Sequence, residues 1–129
     1  MASTPYQKYQ QSSVQTASPA QLILLLYDGA IRFIKQGVDS MENRNIEKTN
    51  ENLIKAQKVV NELVASLDHQ YSIAQNLAKI YEYILHLLIT ANLKKDTAPA
   101  VEALNYLVEL KEAWSQAAKA PSSSISGHG

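Results

Sequence analysis

From Ile46 to Leu67 the residues suited to burial, Ile46, Thr49, Leu53, Ala56, Val60, Leu63 and Leu67, return at alternating steps of three and four. A helix makes a turn in 3.6 residues, so this spacing lays one stripe along one helical face and does not fit the two-residue alternation of a strand. Three other segments carry the same signature. Ile23, Tyr27, Ala30, Ile31, Ile34 and Val38 form one stripe; Ile73, Leu77, Ile80, Ile84, Leu88 and Ala91 a second; Ala103, Leu107, Leu110 and Trp114 a third. Four Gly and four Pro in 129 residues are too few for a chain that turns every eight to twelve residues. The pattern predicts an all-α fold.

Local chemistry sets the helix limits. Ser18-Pro19-Ala20-Gln21 reads as a helix start, with Ser as N-cap, Pro at the first position and Gln closing a capping box. Ser72-Ile73-Ala74-Gln75 repeats that design, and Asn45 is placed to cap another helix. Asn43-Arg44-Asn45, Asp68-His69-Gln70-Tyr71 and Asp96-Thr97-Ala98-Pro99 separate the stripes. Helices are therefore expected at about 19–42, 46–67, 73–94 and 98–119. Their short connections give an antiparallel up-down four-helix bundle over residues 18–119. Residues 1–17, polar and rich in Gln, Ser and Thr, are expected to be a flexible arm or short helical cap, and residues 120–129 a disordered tail.

Composition narrows the function. Twelve basic residues balance twelve acidic ones, which removes the broad positive field that nucleic-acid binding needs. The absence of cysteine excludes disulfides, thiolate metal ligands and thiol nucleophiles. The N-terminus lacks the basic-then-apolar order of a signal peptide, and the longest apolar run, Leu22 to Tyr27, is too short to span a bilayer. A cytoplasmic protein is expected, without nucleic acid or membrane insertion, and monomeric or weakly dimeric.

Catalytic chemistry is hard to place. A di-metal site in a four-helix bundle needs Glu-x-x-His on two helices, and no Glu here has His three residues later. The histidines, His69, His86 and His128, form no metal-ligand spacing. His86 lies mid-helix, where a phosphotransfer bundle carries its histidine, but Leu87, Leu88, Ile89 and Thr90 follow it instead of the lysine and glycine that admit a phosphoryl group. Glu82 four residues earlier explains it as half of an exposed pair. Asp28 reads as a surface or inter-helix hydrogen-bonding group and Gly29 as a close-packing point. The expectation is no enzyme, no cofactor and no metal; a histidine phosphotransfer bundle and a metal-binding bundle are the alternatives.

The first and third helices hold more apolar surface than a bundle face requires. Beside the core stripe of the first lie Leu22, Leu26 and Phe33, with Gly29 and Gly37 near them; beside that of the third lie Ala78, Tyr81, Leu85 and Ile89. Each helix then carries an apolar arc of about 200°, against a little over 100° for a bundle face. Contact with two neighbours accounts for part of such an arc. The remainder points to a groove for an amphipathic helix of a partner. Tyr6 and Tyr9, three apart in the polar arm, are spaced to cover such a groove from one side of a helical turn.

Tyr6-Gln7 and Val14, Thr16-Ala17-Ser18-Pro19, Leu22-Ile23 and Leu26-Tyr27-Asp28-Gly29-Ala30-Ile31-Arg32-Phe33 resemble the flagellin export chaperone family (FliS). Asn52-Leu53-Ile54-Lys55-Ala56-Gln57, Glu62-Leu63, Ser66-Leu67-Asp68, Asn76-Leu77, Leu87-Leu88, Ala91-Asn92 and Ala113-Trp114 continue the likeness in order, over about residues 6–114. Members often have a glycine pair where this chain has His69-Gln70-Tyr71. The resemblance implies a cytoplasmic chaperone that binds the C-terminal segment of flagellin, blocks premature polymerisation and helps deliver it to a component of the flagellar type III export gate. It further implies that the arm, with Tyr6, Gln7 and by position Tyr9, lies over part of the binding surface until the client arrives.

Overall fold

In a computed structural model that describes residues 18–119, the side chain of Ala118 aside, the chain forms four helices: α1 (Pro19–Glu42), α2 (Ile46–Ala65), α3 (Ile73–Lys94) and α4 (Thr97–Lys119). The described residues contain no strand, as the helical period requires.

Three of the four helix starts are closed by side chains. At the head of α1, Ser18 Oγ accepts from the Gln21 N–H at 3.3 Å while Gln21 Oε1 accepts from the Ser18 N–H at 2.9 Å, so the capping box closes. Asn45 Oδ1 accepts from the Lys48 N–H at 3.1 Å at the head of α2. The third start differs from its sequence pattern: Ser72 makes no side-chain cap bond, and the Gln75 N–H reaches only its carbonyl, at 3.3 Å. The cause is backbone geometry. Ser72 is already helical (φ −61°, ψ −31°), whereas a capping side chain needs an extended residue to aim it back at the first turn. Asp68 organises that loop instead, with Oδ1 accepting from the Gln70 N–H and its carbonyl from the Tyr71 N–H. At α4, Asp96 Oδ1 takes the Ala98 N–H at 3.1 Å.

α1 packs on α2 and α4, and α3 packs on α2 and α4, so helices adjacent in sequence are adjacent in space and short loops make neighbours antiparallel. The bundle expected from the sequence is the fold observed. Ile23, Ala30, Ile34, Leu53, Ala56, Val60, Leu63, Leu77, Ile84, Leu88 and Leu107 fill the interior. Ile46 and Ile73, expected on the core stripes, are exposed instead. Each is the first residue of its helix, at an end of the bundle where no neighbour covers it.

α4 buries mainly small residues, Ala100 and Ala103 beside Leu107. The α1–α2 contact is tightened by Gly37, where a Cβ would meet Leu53 Cδ2 at 2.8 Å and Cγ at 3.1 Å. Among the described residues no helix is long and apolar enough to cross a membrane.

Candidate functional site

The neighbours of each helix decide where its flanking apolar residues go. On α3, Asn92 Nδ2 donates to Asn50 Oδ1 of α2 at 2.7 Å. Ala78 and Leu85 precede Asn92 at seven-residue steps, and Ile89 is three before it, so all three share the edge that faces α2. On α2 the same reasoning places Gln57 and Val64 along the line of Asn50, with Ile54 one turn on. The α2–α3 groove is thus bordered by Ile54, Val64, Ala78, Leu85 and Ile89. Ala78, Leu85 and Val64 are half-buried against the core, whereas Ile54 is 38% and Ile89 45% exposed. These apolar residues border the helix pair between the polar positions Asn50, Gln57 and Asn92.

The flank of α1 does not join it. The Lys55 ammonium of α2 sits 5.7 Å from the Phe33 ring centroid and the Arg32 guanidinium 6.0 Å from it. Phe33 and, seven residues earlier, Leu26 therefore lie on the edge of α1 that faces α2, with Leu22 a turn before. All three are half-buried. Since α1 and α3 stand on opposite sides of α2, the two sets of flanking residues border two separate grooves. Towards its far end the α1–α2 groove becomes a polar cleft of about 610 Å³, lined by Lys35, Asp39, Lys48, Glu51 and Lys55 among others. Its chemistry suits water more than an apolar helix.

Tyr81 is a correction to the expected groove: it is fully buried, and its Oη lies 2.6 Å from the Oη of Tyr27 on α1. The wide apolar arc of α3 is partly consumed by the bundle itself, because the tyrosine ring enters the core and its hydroxyl finds a partner there. The Trp114 side chain also bonds the Tyr27 hydroxyl. Burial pushes Tyr27 up to about 12, against the hydrogen bonds from Tyr81 and Trp114. Burial likewise raises Tyr81, and the neighbouring Tyr27 adds to it. Both phenols are neutral at physiological pH, as groups in a core should be.

The remaining polar residues singled out from sequence have structural partners. Asp28 forms an ion pair with Lys111 of α4, an inter-helix tie of the kind expected. His86 is exposed and stacks beside Tyr83, ring centroids 6.3 Å apart. Among the described residues no three His, Asp or Glu side chains gather as metal ligands would. Tyr6, Gln7 and Tyr9 lie outside the described residues. Sequence reasoning missed Ile54 because it falls off the three-four seam of its helix; the available signal was a large aliphatic residue at a position the seam leaves to solvent.

Comparisons with known proteins point to one family. The family model for the flagellar protein FliS matches residues 1–121. The flagellar secretion chaperone FliS of Bacillus subtilis is 40% identical over 113 residues, covering 88% of this chain and 85% of that protein. Its counterpart in Salmonella typhimurium is 36% identical, over 82% of this chain and 81% of that protein. The flagellar secretion chaperone FliSB of Pseudomonas aeruginosa is 32% identical, over 83% and 90%.

Proposed function

Because this chain belongs to the FliS family of flagellar proteins, we propose that it binds the C-terminal segment of flagellin in the cytoplasm, holds it from polymerising and passes it to the flagellar type III export gate. The relatives are flagellar secretion chaperones by name, and the family is one of chaperones, not of enzymes. The observation that carries the reading is the set of apolar residues at the open edge between α2 and α3, with Ile54, Leu85 and Ile89 along it.

The mechanism needs only reversible burial. A flagellin end that packs only in the filament leaves an apolar helical face unpaired beforehand, and a groove between two helices accepts such a face at i, i+3, i+4 and i+7. Affinity then comes from the apolar area covered, less the cost of ordering the client. Release is built in, because filament or gate contacts compete for the same face.

The arm adds a competitor within the chain. Residues 1–17 reach up to about 55 Å if extended, and they join α1 at Ser18, at the bundle end where α3 begins and Ala78 borders the groove. In this reading Tyr6, Gln7 and Tyr9 lie over the surface of the free protein and yield to the client. Titration of the full chain with a peptide of the flagellin C-terminal segment tests the proposal. Saturable binding that protects the α2–α3 groove from hydrogen exchange is expected; binding to flagellin that survives removal of that segment overturns it.

A further inference from the structure

On the opposite edge of α3 from this groove, four side chains form a patch that the client strip does not use. The Tyr83 hydroxyl donates to Glu102 Oε2 of α4 at 2.8 Å. The Tyr83 ring meets that of Tyr106 edge to face, centroids 5.8 Å apart at 86°, and lies alongside His86 at 26° between planes. Tyr83 is 43% and Tyr106 36% exposed, and Glu102 and His86 are exposed with them. Among the described residues no cation pairs with Glu102. Lys79 and Glu109, further along the same edge, carry opposite charges and leave Glu102 to set the sign of the patch.

A stabilising brace would account for the Tyr83–Glu102 bond, but a bond exposed to water competes with solvent and adds little to stability, and packing into the bundle would hide the rings. These rings stay in water. Tyrosines lose little side-chain freedom on contact and, held at fixed angles by a cross-helix bond, offer pre-organised anchors. Their π faces and the carboxylate are all attractive to positive charge and repellent to negative. A planar guanidinium satisfies both at once, stacking on a ring while donating to the Glu102 oxygen that Tyr83 leaves open.

The geometry points to a second docking site on the α3–α4 edge, formed by Tyr83, Glu102 and Tyr106, for a protein partner that presents an arginine side chain. Because the site and the client groove occupy opposite edges of α3, client and partner bind together. The arginine, not a lysine, is the better fit, since only its flat fork stacks and donates in the same pose.

The test uses the full chain, isotope-labelled, alone and saturated with the flagellin C-terminal peptide. The probe is an alanine- and glutamine-based helical peptide with one central arginine, compared with the same peptide carrying neutral citrulline there. Arginine-dependent shifts at Tyr83, Glu102 and Tyr106 are expected in both states, with the citrulline peptide weaker by about fivefold or more. Glu102→Gln, an exposed isosteric change, should reduce that preference several-fold, to what the rings alone supply, without moving the thermal midpoint. Equal binding of the two peptides, shifts confined to the α2–α3 groove, or a preference undiminished by Glu102→Gln would overturn the assignment. Failure of the flagellin peptide to bind would count against the proposed function alone, since the titration of the free chain reads the arginine site by itself.

Discussion

The hydroxyl oxygens of Tyr27 on α1 and Tyr81 on α3 lie 2.6 Å apart, joining two helices that face each other across the diagonal of the bundle. Both hydroxyls are buried, and each gives the other a hydrogen-bond partner inside the core. The pair favours the one rotation of α3 that brings Tyr81 inward, and with it the orientation of the outer groove.

Removing one member should therefore cost stability. Tyr81→Phe leaves the Tyr27 hydroxyl with Trp114 as its remaining partner and should lower unfolding free energy by about 1–3 kcal/mol. Adding Tyr27→Phe should cost less than the sum of the two single changes, because each single change already removes the bond the two hydroxyls share. A urea-unfolding double-mutant cycle measures this.

The same pair makes the fold sensitive to alkali. An unfolded tyrosine ionises near pH 10, whereas folded Tyr27 keeps its proton to about 12. Above pH 10 the unfolded chain thus binds fewer protons than the folded one, and stability falls as pH rises. It should be complete below pH 10 and decline through pH 12, with roughly 3 kcal/mol attributable to Tyr27. Unfolding midpoints across this range should fall less steeply in Tyr27→Phe.

Client binding should separate from stability at the groove. Leu85→Gln with Ile89→Gln removes apolar contact from positions that are half-buried and exposed, and should weaken binding of the flagellin C-terminal peptide by about tenfold or more. The change in unfolding free energy should stay near 1 kcal/mol, most of it from Leu85. Calorimetric titration paired with thermal unfolding distinguishes the two effects. Tyr81→Gln, by contrast, should prevent stable folding.

Two serines that look alike in sequence should behave differently. Ser18→Ala breaks a closed capping box and should cost about 1 kcal/mol. Ser72→Ala removes no cap bond and should stay within about 0.5 kcal/mol of the parent. Thermal denaturation of the two variants side by side is sufficient.

Gly37→Ala tests the α1–α2 approach. Alanine gains up to about 1 kcal/mol of helix propensity over glycine, but its methyl would sit 2.8 Å from Leu53 Cδ2 in a filled core. Overpacking costs about 1–3 kcal/mol, so net destabilisation is expected, and the thermal midpoint should fall.

The sequence by itself determined the four helices, the inward seam of α2, the caps at Ser18 and Asn45, and the excess of apolar residues on α1 and α3. All of these are set by neighbours three or four residues away along one helix. Only the tertiary structure decided that Leu22, Leu26 and Phe33 border one side of α2 while Ala78, Leu85 and Ile89 border the other, that Tyr81 belongs to the core, and that Tyr83 meets Glu102. A helical period fixes an angle about the helix's own axis, but bundles of either hand bury the same stripes, and the hand determines which flank meets which neighbour. Ser72 shows the same limit on a smaller scale, since its spacing to Gln75 promises a cap and the loop entering from Asp68 sets the backbone that refuses it.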